Sequence, residues 1–211
     1  MRITQANRKA VDYACKNFHY SKSVPAVQYA YNVYNDSDEW CGVIVYGGGA
    51  NNNLPKSFGK NAGEVLELER VALNGKQETT SKAVAMTLKQ LHKDDPLCKI
   101  VVSFSDHRQR HIGTIYQATN WIYLGLTITS DTQYFYNGKW THERTINSRP
   151  DRDKLKKTLP KRENSNKFKY VFCFDKKERK KYLAMALPYP KDENLTVCTE
   201  QVEIKQTSVR W

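Results

Sequence analysis

Apolar residues recur at helical spacing from Gln5 to Phe18. Val11, Ala14, Cys15 and Phe18 share one face, with Asn7, Arg8, Lys9 and Lys16 elsewhere on the cylinder. Pro25 in "HYSKSVP" stops the helix, because the residue before a proline is pushed out of helical dihedrals. The period then shortens toward two. Strands are predicted over Val27–Tyr34 and Trp40–Tyr46, divided by the turn-forming "NDSDE". "GGGANNNLP" reads as a surface loop, since the lysine pattern of a phosphate-binding loop is missing. Alternation returns in "EVLELERVAL", Glu64 to Leu73, as a strand. A helix opens near Thr79, with Ala83, Val84, Thr87, Leu88 and Leu91 as its apolar stripe and Pro96 beyond its end.

"CKIVVSF" is short and nearly all apolar, as a central strand covered on both faces would be. A short helix around Gly113–Asn120 follows, then strands near Trp121–Thr127 and Gln133–Trp140. This order predicts an α+β fold, a three-layer α/β/α arrangement with a mixed central sheet and flanking helices. "NSRPDRDKLKKTLPKRENSN" reads as a charged linker. "KFKYVFCFDKKERKKYL" reads as an apolar strand followed by a basic turn or helix, and the residues after Pro190 as a polar tail. The chain is thus expected to divide into a domain over 1–145 and a basic C-terminal extension over 146–211.

Charge changes this reading. The 211 residues hold 34 Lys+Arg against 22 Asp+Glu, a net charge of +12. From Ile146 onward there are 17 basic and 9 acidic residues, so the excess is concentrated in the last third. Such a surplus suits a polyanion, because each phosphate neutralised releases condensed counterions. The bland alternative is solubility charge. Five scattered cysteines without zinc-finger or CxxC spacing suggest reduced, buried thiols. The N-terminus lacks an apolar signal region and no run approaches a membrane span, so a soluble intracellular protein is expected.

Asp106 follows the buried strand at its carboxyl end, where open sheets with parallel strands place ligands. A carboxylate there is equally a base, a metal ligand or a cap for the next turn. His107 and His111 have i, i+4 spacing, but two imidazoles do not make a metal site, and "DHRQRH" also reads as a basic loop against phosphate. His19-Tyr20 directly follows the first helix, as base, ligand or dipole partner. Glu67, Glu69 and Arg70 are charges within a strand and need a cleft or partners. Strict alternation puts Arg70 on the face opposite the two glutamates. The helix start at Thr79, Thr80, Ser81 and Lys82 offers free amides to an anion, or is simply capped.

"NFHYSKSVP", "EVLELERVAL", "IVVSFSD…GTIYQATNWIYLG" and "YFYNGKWTHERT" together resemble the Mom family of phage DNA-modification proteins, and "LPYPK" is also similar. The resemblance implies a fold of the GNAT acyltransferase type. It also implies a phage-encoded enzyme of the host cytoplasm that places a carbamoylmethyl (acetamido-bearing) group on adenine N6 in DNA, against restriction. Residues carried over are His19, Tyr20, Arg70, Asp106 and Tyr116, with His19, Tyr20 and Asp106 proposed in the family to hold iron, Fe(II). The expected partner is double-stranded DNA. Hydroxyl side chains stand where GNAT enzymes have glycines for the CoA pyrophosphate, so a glycyl donor such as glycyl-tRNA, a charged tRNA, competes with acetyl-CoA. On this expectation a flipped adenine stacks on Tyr116 or Trp121, and Asn120 reads its edge. Ser103 and His111 line the pocket, Asp106 takes the N6 proton, and Arg70 with Thr80, Ser81 and Lys82 binds the donor. The tail's "KLKKTLPKR" and "DKKERKK" would grip the duplex backbone. The competing classes are an acetyltransferase acting on a protein or small amine, and a DNA-binding protein without catalysis.

Overall fold

The first four residues of order belong to a strand that the pattern did not announce. The computed structural model describes residues 1–49, 53–106, 109, 111–127, 132–164 and 166–191. β1 (Arg2–Gln5) precedes α1 (Arg8–Phe18), which Asn7 caps by accepting from the Ala10 N–H at 2.9 Å. β2 (Tyr29–Tyr34) and β3 (Trp40–Gly47) follow, then a one-turn α2 (Leu54–Ser57). β4 (Val65–Leu73), α3 (Thr80–Asp94) and β5 (Ile100–Asp106) form the strand–helix–strand unit. α4 (Thr114–Gln117) and β6 (Ile122–Leu126) come next.

Between β6 and the last strand lies an insertion: β7 (Thr132–Tyr136), β8 (Lys139–His142), α5 (Glu143–Asn147), α6 (Arg152–Thr158) and β9 (Lys161–Glu163). β10 (Lys167–Cys173) and α7 (Lys176–Leu183) complete the order. The predicted strand over Gln133–Trp140 is therefore a hairpin. Asn137 and Gly138 both take positive φ, 51° and 75°, as a two-residue hairpin turn requires. The predicted linker carries α6 and β9.

The main sheet has the order β1-β2-β3-β4-β5-β10-β6, and the insertion forms its own sheet, β8-β7-β9. Within the main sheet only β4 and β5 are parallel. One face packs against α3 and α4 through Tyr46, Leu66, Leu68, Val101, Tyr116 and Trp121. The other packs against α1 through Val43, Val45 and Ala72, and against α2 and α7 through Val65, Val102, Val171 and Tyr182. The expected α/β/α layering is thus present. The division at 145/146 is not, because β10 lies between β5 and β6 and supplies Phe168, Tyr170 and Val171 to the core. The "LPYP" segment also docks: Leu187 N donates to Tyr123 O at 3.0 Å and the Tyr189 hydroxyl to Trp121 O at 2.5 Å. Cys15, Cys41, Cys98 and Cys173 are buried free thiols, as expected, and Cys198 lies outside the described residues.

Candidate functional site

β4 and β5 pair only through Val65–Ile100, Leu66–Val101 and Glu67–Val102, and then diverge. Across the widening gap, buried Ser103 replaces a backbone bond. Its hydroxyl donates to the Leu68 carbonyl at 2.9 Å and accepts from the Tyr116 hydroxyl at 2.8 Å. That direction follows because a carbonyl can only accept and a serine has one proton. Burial raises the Tyr116 hydroxyl to about 12, consistent with a donor that keeps its proton. Gly113, which opens α4, lets the Tyr170 ring pack against this turn: its φ is +79°, and a Cβ there would lie 2.4 Å from that ring.

β4 is irregular at one point. Val45 pairs with Arg70 and Tyr46 with Leu68, which leaves Glu69 as an extra residue. The bulge shifts everything after it by one. Arg70 therefore joins Ala72 on the α1 face, the same side as Glu67, and not the opposite side that strict alternation demands. There Arg70 donates to Ser23 Oγ at 3.1 Å and to the Glu69 carbonyl at 2.6 Å. The Glu69 carboxylate accepts from the Gly49 N–H at 3.2 Å, and burial raises it above the ordinary range. Ser21 and Ser23 were visible only as the "SKS" after His19-Tyr20; they link His19 to Arg70 through Oγ–Oγ contact at 3.1 Å.

α1 ends by turning His19 and Tyr20 over this end of the sheet. Their rings lie 4.4 Å apart. The His19 Nδ1 accepts from the Ser21 backbone N–H at 3.2 Å and lies 2.8 Å from Ser21 Oγ. Burial first, then the charge of Arg70 and the proximity of His111 and Lys22, lower the imidazole to about 4. At neutral pH His19 is thus uncharged, with its proton on Nε2. Tyr20 is 49% exposed, yet its hydroxyl donates to the Asp106 carboxylate. Partial burial and that carboxylate hold the phenol above its ordinary value. His111 stands edge-on to Tyr20 at 5.9 Å and is exposed.

The remaining candidates lie on the other face. Ser81 and Lys82 line a groove of about 500 Å³ with Lys89, His92, Asn120 and Phe174. Thr79 caps α3 by accepting from Lys82 N at 3.3 Å, and Thr80 accepts from Gln77 Nε2 at 2.9 Å. Asn120 has φ +59° and belongs to this groove, its carbonyl accepting from Arg179 at 3.2 Å. Trp121 is fully buried, with its ring 5.1 Å from Tyr116 and 5.7 Å from Phe172. Tyr116 is itself 8% exposed, so neither ring offers a free face to a base. The expected pocket floor of Tyr116, Asn120 and Trp121 facing Asp106 is corrected accordingly.

A model of the Mom protein family matches residues 1–191. The chain belongs to the Mom protein family. The methylcarbamoylase mom of Escherichia phage Mu is 29% identical over 137 residues, which cover 60% of this chain and 56% of that protein. The chain thus spans little more than half of that relative's length. Among solved structures, a chimera of spermidine N-acetyltransferase SpeG from Vibrio cholerae and hSSAT is similar at a TM-score of 0.48 and 8% identity, over 87% of this chain and 99% of that one. A Bacillus subtilis acetyltransferase in complex with CoA is similar at 0.43 and 10% identity, over 82% and 99%.

In this Mom-family chain, His19, Tyr20, Arg70, Asp106 and His111 come together on one face. The three candidates for iron, His19, Tyr20 and Asp106, do not fit a ligand set as they stand. The Ser21 N–H occupies the Nδ1 lone pair and leaves the proton on Nε2, while the Tyr20 phenol spends itself on Asp106. Among the described residues no three His, Cys, Asp or Glu gather as a metal would need. His107 lies outside the described residues. No helix among the described residues is long and apolar enough to cross a membrane.

Proposed function

We propose that this chain is an enzyme that modifies phage DNA in the host cytoplasm, transferring a glycine-derived carbamoylmethyl group to adenine N6 and so blocking host restriction. The observation that carries the reading is the Tyr20–Asp106 pair beside Arg70 in a Mom-family chain. The phage Mu relative, named a methylcarbamoylase, supports the class of group.

The adenine N6 lone pair is delocalised into the ring, so attack is slow until its proton has somewhere to go. The target base is flipped from the duplex. Tyr20, exposed and bonded to Asp106, is the aromatic that the base meets first, with His111 across from it. As N6 bonds to the glycyl acyl carbon and the bond from that carbon to the carrier oxygen breaks, the N6 proton passes to Asp106 and the carrier leaves as its alcohol. The aminoacetyl group so placed is an isomer of carbamoylmethyl and becomes it when the nitrogen and adenine N6 exchange ends of the two-carbon unit. Tyr20 holds that carboxylate in place. His19, neutral, donates from Nε2 toward the charge developing on the donor, and Arg70 adds a fixed positive field. No step passes through iron. The donor, a glycyl carrier such as charged tRNA, lies along the groove of Ser81, Lys82, Lys89 and Asn120.

The test is direct. DNA from bacteria expressing the chain is digested to nucleosides and analysed by mass spectrometry. A heavier adenine nucleoside supports the proposal, and unaltered nucleosides refute it.

A further inference from the structure

The inserted sheet presents two unlike faces. Tyr134 of β7 is buried on one, and α5, with buried Ile146, packs against β7 and β8. Gln133 and Phe135 point the other way. Opposite Phe135 stands Trp140, and opposite Gln133 stand His142 on one side and Arg162 on the other. Period-two alternation places all five on a single face. Phe135 is 40% and Trp140 37% exposed, with ring centroids 5.5 Å apart. The Arg162 guanidinium lies 4.2 Å above the Trp140 ring, fixed by a 2.9 Å bond from its Nε to Gln133. Residues 132–163 carry nine Lys/Arg and four Asp/Glu.

We propose that the Phe135–Trp140–Arg162 face is a stacking platform for unpaired bases of DNA. A sheet face carrying two aromatics and a stacked arginine, in a segment of net positive charge, matches single-stranded nucleic acid: each base offers a π-face and the backbone offers phosphate. A second copy of this chain fits less well, since it would bring the same positive charge onto the patch. The platform also stands in the right place. Thr127 and Lys167, the two ends of the insertion, bond one another at 2.8 and 2.9 Å, and Lys167 is the register partner of Asp106. The insertion thus springs from the strand end that carries the proposed base. A duplex that gives up an adenine there exposes unpaired bases beside it.

The inference rests on reading DNA as the substrate, and the two are separable. The full chain and its Trp140→Ala, Phe135→Ala and Trp140→Phe variants are titrated against a fluorescent twelve-nucleotide oligo(dT) and a blunt duplex of equal length, with anisotropy as the readout. Thermal melts confirm folding, which exposed positions should retain. Each alanine variant is expected to weaken single-strand binding on the order of tenfold, with duplex binding within about twofold of the parent and Trp140→Phe keeping most of the affinity. Unchanged single-strand affinity in both alanine variants overturns the platform, as does equal loss on both probes. Self-association in sedimentation that Trp140→Ala abolishes, without an effect on oligo(dT), assigns the face to a second copy and also overturns it. A chain that fails these tests yet makes a heavier adenine nucleoside leaves the enzymatic reading intact.

Discussion

A histidine whose Nδ1 is occupied by a backbone N–H cannot take a proton from a nucleophile near neutrality; it can only donate. This makes His19 testable through linkage. Its folded value, about 4, lies below the ordinary 6.5, so the unfolded chain binds the extra proton first as pH falls. Stability is therefore expected to decline between pH 6.5 and 4, and His19→Gln should flatten that part of the profile in denaturant titrations. An NMR titration of His19 near 6.5 would contradict the assignment. At this scale, spacing put His19, Tyr20 and Asp106 at element ends with their roles open, and the family resemblance singled them out. The place of Arg70 was not legible. Alternation assumes a regular strand, and the bulge at Glu69 is set by pairing with β3, a nonlocal cause. Burial of Trp121 was hidden for a similar reason, since "NWIYLG" shows a tryptophan at a strand start but not the Tyr116 and Phe172 rings that enclose it.

Among the elements, the parting of β4 from β5 defines the site, and Ser103 bridges it with one donated and one accepted bond. Ser103→Ala removes the partner of a buried tyrosine hydroxyl and frees the Leu68 carbonyl. The expected cost is about 1–3 kcal/mol, seen as a lowered Tm with an unchanged far-ultraviolet spectrum. A variant as stable as the parent would show that neither bond contributes. The strand–helix–strand unit was readable from its periodicities, including the stripe Ala83, Val84, Thr87, Leu88 and Leu91, all of which are buried. The β7–β8 hairpin carried its signal openly in Asn137-Gly138, yet the aromatic run around it reads as one strand unless the turn chemistry is given precedence. β1 had no such signal, because four residues are too few to establish a period.

For the whole molecule, the basic last third is woven into the fold. β10 sits between β5 and β6, although some forty residues of inserted chain separate it from β6. Apolar character marked "KFKYVFCF" as a strand, but nothing local told where in the sheet it would pair. Ending the chain after Thr145 is therefore expected to abolish cooperative thermal unfolding, because β5 and β6 lose their shared neighbour and the core loses Phe168, Tyr170 and Val171. A sharp melt in that fragment would contradict the topology. The central claim is that Asp106, held by Tyr20, accepts the proton from adenine N6. Its most direct measurement is the yield of the heavier adenine nucleoside in DNA from cells expressing the parent, Asp106→Asn and Tyr20→Phe chains at matched, folded levels. The account predicts a fall of at least about 100-fold for Asp106→Asn and a smaller loss for Tyr20→Phe; parental yield from Asp106→Asn would contradict it.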